Sequence, residues 1–132
     1  MTEHSRVLVG VDLVRIDDVA EAVEHFGERY IDRIFTGHEQ ACCPASQPTR
    51  AAGLAARFAA KEATIKVLRP DGFQPSWTSI EVHRADAGWC EIHLTDGAAA
   101  LAAARGITSL SVSLTHEAGM AAAVVVGLCE GR

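Results

Sequence analysis

Three places in the chain carry residues out of keeping with their neighbours. Asp12 interrupts the apolar run Val7 to Val14 (VLVGVDLV). A carboxylate there must be solvated at a strand end or held by a cation, because burying it alone costs several kcal/mol. Gly10, two residues earlier on the same strand face, leaves space beside it. The pattern also fits an Asp12 that caps a helix starting near Asp17. The second place is Arg57-Phe58-Ala59-Ala60-Lys61-Glu62-Ala63-Thr64-Ile65-Lys66. At about 100° per residue, Leu54, Phe58, Ile65 and Leu68 form one apolar arc. Lys61 falls inside it, so its stem must be buried and its ammonium must reach a polar partner. Glu62 and Lys66 lie one turn apart at the arc's edge. Ala55 and Ala59 beside them predict a floor of methyl groups over which a bulky ligand can approach the backbone. The same spacing describes a Glu–Lys pair on a solvated helix face, worth a few tenths of a kcal/mol. The third place is Ser113-Leu114-Thr115-His116-Glu117, where a strand runs into a turn. His116 there is either placed for ligand contact or a turn histidine without a role. His4, His25, His38, His83 and His93 are assigned no role. His83 and His93 fall on the polar face of a hairpin with nothing to bind them to a metal.

The elements that position these residues follow from periodicity. Val7 to Val14 reads as a strand. Asp17 to about Ile34 reads as one helix, with Val19, Ala20, Val23, Phe26, Tyr30 and Ile34 at spacings of three and four. Thr36-x-x-Glu39 has the form of a capping box and opens a short helix. Pro44 to Arg50 is loop-like. Gly53 to Leu68 is the strongest helix, ended by Arg69-Pro70-Asp71-Gly72. Thr78 to Arg84 and Trp89 to Leu94 alternate as a hairpin about an Ala85–Gly88 turn. Asp96 can cap a helix to Arg105, which Gly106 stops. Ser109 to Thr115 alternates, and Ala121 to Gly127 is apolar on both faces, as a central strand would be. The order predicts an α+β fold, with helices packed on one mostly antiparallel sheet.

The 132 residues hold one domain, and 48% hydrophobic residues suffice for a real core. The longest apolar run, Gly119 to Cys129, is too short to span a membrane. The polar Met1–Arg6 has no signal-peptide layout, which predicts a cytoplasmic protein. Cys42, Cys43, Cys90 and Cys129 lack metal-ligand spacing and read as small hydrophobes. A net charge of −5 argues against a general nucleic-acid binder. Between Gln40 and Arg69, however, Arg50, Arg57, Lys61, Lys66 and Arg69 face a single acid, Glu62. Such a basic segment suits a polyphosphate ligand.

At these places the chain resembles the holo-[acyl-carrier-protein] synthase family, the small trimeric 4′-phosphopantetheinyl transferases. The likeness rests on Val9-Gly10-Val11-Asp12-Leu13-Val14, on Ala56-Arg57-Phe58-Ala59-Ala60-Lys61-Glu62-Ala63-x-x-Lys66, and on Ser111-Val112-Ser113-Leu114-Thr115-His116 with Ala121 to Val126. Their order and separation match as well. The resemblance implies transfer of the phosphopantetheine arm of coenzyme A to a serine of an apo acyl carrier protein, releasing adenosine 3′,5′-bisphosphate. It implies Mg²⁺ held by Asp12 and Glu62. It further implies coenzyme A contacts from Arg57, Lys61, Lys66 and His116, with sites at the subunit interfaces of a homotrimer. The donor set fits Mg²⁺, which keeps waters and takes carboxylate and phosphate oxygens. Either Glu62 or a metal-bound water could take the serine proton.

Two features depart from the family pattern. Where relatives carry a glycine-threonine-glycine turn after the second lysine, this chain has Val67-Leu68-Arg69-Pro70-Asp71-Gly72. Proline removes a backbone donor there, and Arg69 offers a charge in exchange. The helix after Asp12, often basic in the family for docking an acidic carrier, here bears Asp17, Asp18, Glu21 and Glu24, with Arg15 the nearest cation. The expected carrier therefore belongs to a fatty-acid or, by preference, a secondary-metabolite (polyketide) synthase. The competing readings are a catalytically lapsed coenzyme A-binding module and a structural oligomer. The second makes Asp12, Lys61 and Glu62 coincidental.

Overall fold

A computed structural model describes residues 5–130. His4 and most of the Met1–Arg6 segment lie outside the described residues. The chain runs β1 (Ser5–Arg15), α1 (Ile16–Phe26), α2 (Glu28–Ile34), α3 (Gly37–Cys42), α4 (Arg50–Leu68), β2 (Ile80–Arg84), β3 (Cys90–Leu94), α5 (Asp96–Ala104), β4 (Ile107–Glu117) and β5 (Met120–Glu130). The α+β class stands, and every strand pair is antiparallel. The strands divide into a three-stranded sheet ordered β1-β5-β4 and a β2-β3 hairpin. The doubly apolar β5 takes the central place its composition predicts.

Several boundaries differ from the sequence reading, β1, β4 and β5 each running longer than their patterns predict. The single helix over Asp17–Ile34 is two helices, broken at Gly27, whose φ of 62° leaves the helical region. Val19 and Ile34, on either side of the break, are both buried, while Phe26 at the end of α1 is exposed. α4 begins three residues before Gly53, because Arg50 anchors its first turn through Nε to the Cys43 carbonyl, at 3.1 Å. Trp77–Ser79 forms a 3₁₀ turn, so β2 starts at Ile80 rather than Thr78. Thr95, not Asp96, is the N-cap residue of α5.

α4 is the central element. It packs against β1 and β5 on one side and touches β2, α1, α3 and α5 on the others. That is why eleven of its residues are buried and not one arc alone. Ala59, Ala60 and Ala63 join Leu8, Val67, Ile80, Val82 and Val125 in one core. Ala55 and Ala56 join Val19, Ile31, Phe35 and Leu54 in a second. The predicted methyl floor is therefore corrected: Ala55 and Ala59 are fully buried and admit neighbouring elements, not a ligand. The space beside Gly10 is likewise filled by α4. A Cβ there would run into the Ala63 carbonyl oxygen and approach the Lys66 Cβ to 3.2 Å. Since backbone cannot yield cheaply, Gly10→Ala is expected to lower stability by about 2–3 kcal/mol in chemical denaturation. A loss below about 0.5 kcal/mol would mean that β1 and α4 are not in close contact.

β1 alternates strictly. Leu8 and Gly10 turn toward α4, whereas Val7, Val9, Val11 and Leu13 are between 53% and 65% exposed. Across the register Val9 pairs with Val126 and Val11 with Val124, so the sheet face away from α4 is broadly apolar.

The C-terminus of α4 is closed by an unusual arrangement. Arg69 takes the left-handed conformation, φ 52°, which costs a non-glycine residue roughly 1–2 kcal/mol. Arg105 offsets this by donating Nε to the Leu68 carbonyl at 3.2 Å and Nη2 to that of Arg69. A cation on free carbonyls also suits the helix dipole.

Candidate active site

Asp12 is carried on the α4-facing side of β1, one alternation beyond Gly10. The close approach that Gly10 permits brings Glu62 and Lys66 of α4 to it. Lys66 Nζ donates to the Val11 carbonyl at 2.7 Å and lies 3.3 Å from Asp12 Oδ1. The lysine side chain is 53% exposed and the aspartate 18%. Asp12 and Glu62 line one cleft of about 490 Å³, together with Arg15, Asp18, Tyr30 and Phe58. Burial, and then the Asp12 carboxylate, push the Glu62 carboxyl above its usual range, while Lys66 pulls it down. Two carboxylates lining one cleft make an oxygen donor set suited to a hard divalent cation. Asp12 of β1 and the Glu62–Lys66 pair of α4, two separate places in the sequence, are thus brought together.

Arg57 and His116 meet elsewhere. They line a second cleft, of about 260 Å³, with Arg84, Thr115, Gly53 and Cys90. The two clefts have no lining residue in common. Arg57 is buried. Its Nη1 donates to the Gly53 carbonyl at 3.2 Å, and its Nε has no hydrogen-bond partner. Among the described residues no carboxylate pairs with it. A buried guanidinium with a free donor, beside a second arginine and a histidine, is suited to an anion. His116 stands exposed near the end of β4, before the Ala118–Gly119 turn. Arg84 was missed by sequence reasoning. It closes an ordinary alternating strand, and only the packing of the hairpin beside α4 brings it here.

Lys61 requires correction as a ligand residue. Its side chain is fully buried, and its ammonium pairs with Glu39 Oε1 at 2.8 Å. It also donates to the Trp77 carbonyl at 3.0 Å and to the Ile80 carbonyl. All three donors are used, so none remains for coenzyme A. Burial pulls this amine below its usual range, and Glu39 pushes it back. Glu39 appeared in the sequence only as a capping residue, and that box is present. Its other oxygen also accepts from the Val82 amide at 2.6 Å. The pair therefore ties α3, α4 and β2 together.

The hairpin brings together side chains to which the sequence assigns no role. Its register sets Glu81 opposite His93 and His83 opposite Glu91. Glu81, His83 and His93 each bring a ligand atom within 4.8 Å of the others. This cluster includes neither Asp12 nor Glu62.

A third cleft, of about 480 Å³, lies beside the first and has Tyr30 in common with it. Arg29 and Arg33 of α2 line it with Phe26, Ile34 and Trp77. The break at Gly27 gives α2 its own orientation, so basic residues border the acidic cleft although α1 is acidic.

The model of the 4′-phosphopantetheinyl transferase superfamily matches residues 8–125. A holo-[acyl-carrier-protein] synthase of Desulforudis audaxviator is 38% identical over 120 residues, covering 91% of each chain. One of Nitratidesulfovibrio vulgaris is 43% identical over 121 residues, covering 89% of this chain and 94% of that one. The solved ACPS-CoA complex of Chronobacterium ammoniagenes is 30% identical, with a TM-score of 0.83 over 96% of this chain and 99% of that one.

Proposed function

The chain belongs to the 4′-phosphopantetheinyl transferase superfamily, and from that premise we propose how its own residues carry out the reaction. The protein is an enzyme that transfers the phosphopantetheine arm of coenzyme A to an apo acyl carrier protein. The serine oxygen of the carrier bonds to the phosphorus bearing the pantetheine arm. The pyrophosphate P–O bond breaks, adenosine 3′,5′-bisphosphate leaves, and the serine proton is released.

Asp12 and Glu62 would hold Mg²⁺. The observation that carries this is their joint lining of one cleft, with Glu62 biased toward protonation by its burial and by Asp12. When bound there, the ion supplies neutralisation of charge on the pyrophosphate. Lys66 fixes Asp12 in place and presents its exposed ammonium to the same phosphates. Arg57, Arg84 and His116 bind anionic groups of the nucleotide end. The turn at Arg69–Gly72, tied down by Arg105, takes the place of the family's glycine-rich turn.

Because the two clefts are separate on one chain, the complete site is built between copies, the Arg57/His116 cleft of one facing the Asp12/Glu62 cleft of the next. The exposed valine face of β1 and β5 supports a homotrimer, since its burial supplies about 25 cal/mol for each Å² of apolar surface removed from water. No helix among the described residues is long and apolar enough to cross a membrane. The four cysteines are free thiols, and a cytoplasmic location keeps them and the thiol of coenzyme A reduced.

The carrier docks on α2 and not on the acidic α1, its acidic surface meeting Arg29 and Arg33 next to the reacting cleft. The preference for a secondary-metabolite carrier rests on the acidic α1 alone. Mass spectrometry of apo carriers incubated with coenzyme A and Mg²⁺ tests the assignment, the expected result being a gain of one phosphopantetheine. Arg29→Glu with Arg33→Glu is expected to raise KM for the carrier about tenfold with little change in KM for coenzyme A. An unchanged carrier KM would remove α2 from the docking surface. Equal rates on fatty-acid and secondary-metabolite carriers would remove the carrier preference.

A further inference from the structure

We propose that Glu81, His83 and His93 form a surface site for a late first-row divalent cation, Zn²⁺ foremost, separate from the Asp12–Glu62 cleft. Two imidazoles and one carboxylate suit Zn²⁺, and three protein ligands leave a position for water. Mg²⁺, which prefers an all-oxygen shell, is poorly matched to this set. The three ligand atoms already lie within 4.8 Å of one another, and modest side-chain rotation brings them to a common ion.

The surroundings hold the ligands in place. Thr36 Oγ1 donates to Glu81 Oε2 at 2.6 Å, while Oε1 faces His83 Nδ1 at 3.7 Å. The His83 ring is stacked between two others, with centroids 4.3 Å from His38 and 4.4 Å from His93. His38 is itself fixed, its Nε2 accepting from the Arg84 amide at 3.0 Å. It is a wall rather than a ligand. Glu91 Oε1 lies 3.2 Å from His93 Nε2, and Trp89 Nε1 donates to its other oxygen at 3.0 Å. A carboxylate behind an imidazole is the arrangement that orients ligating histidines. A cation here would cross-link β2 to β3 beside Arg84, which lines the anion cleft.

Isothermal titration of the tag-free full chain with zinc chloride, under a non-chelating reductant, tests the proposal. One ion per chain is expected to bind. Its affinity should fall at least about tenfold in His93→Ala and in Glu81→Gln, with circular dichroism unchanged. All are measured in an Asp12→Asn background, so that the acidic cleft does not contribute, and Cys42→Ser should bind as that background does. Absence of binding, or binding indifferent to both hairpin substitutions, overturns the site. Loss in Cys42→Ser overturns it as well, placing the ion instead on Cys42 and His38, whose Sγ and Nε2 are 3.8 Å apart.

Discussion

Glu62→Ala is expected to slow carrier modification by about 10³-fold, measured as the initial rate of mass gain on an apo carrier. Glu62 lines the cleft with Asp12, and its loss leaves one carboxylate where the proposed cation needs two. Glu62→Gln separates this role from a structural one. A carboxyl whose pKa is raised by folding disfavours its own ionisation. Above that raised pKa its charge costs stability, and below the unfolded value the cost vanishes. At neutral pH, without added metal, Glu62→Gln should therefore not destabilise the fold, while losing activity like the alanine variant. A Glu–Lys pair on a solvated face would behave oppositely, keeping the rate and losing a few tenths of a kcal/mol. The same measurement addresses the lapsed-module reading, which requires coenzyme A binding without any mass gain in the wild type.

Lys61→Ala carries the second large effect. Removing a buried ammonium leaves the Glu39 carboxylate in the interior without its ion partner, and takes one donor each from the Trp77 and Ile80 carbonyls. The expected loss is about 3–5 kcal/mol in denaturant unfolding. Lys61→Met combined with Glu39→Gln should recover much of it, because the stranded charge is gone. If Lys61→Ala instead weakened coenzyme A binding while losing under about 1 kcal/mol of stability, Lys61 would be a ligand residue after all.

What the sequence revealed of the site depended on how local each signal was. Asp12 stood out because a carboxylate breaks an apolar strand, and Lys61 because an ammonium lies in an apolar arc. Both inferences needed only the residue and its own element. The identity of Lys61's partner was out of reach. Glu39 has a complete local explanation as a capping residue, and its second set of bonds crosses to β2 and α4. The floor of Ala55 and Ala59 was misassigned for a related reason. Small residues admit close approach, but periodicity does not say whether a ligand or a strand approaches. The break at Gly27 was hidden because Val19, Tyr30 and Ile34 happen to continue one helical spacing across it. That break separates α1 from α2, whose Arg29 and Arg33 line the neighbouring cleft. The hairpin was legible in outline, yet its histidine stack includes His38 from α3, a contact between distant segments.

The shared cation is tested most directly by titrating Mn²⁺, a spectroscopic substitute for Mg²⁺, into tag-free protein and following the free ion by electron paramagnetic resonance. His93→Ala serves as the background, so that the hairpin cluster does not contribute. One Mn²⁺ per chain is expected to bind, with affinity falling at least about tenfold in both Asp12→Asn and Glu62→Gln. Undiminished binding in either variant would contradict joint coordination by β1 and α4.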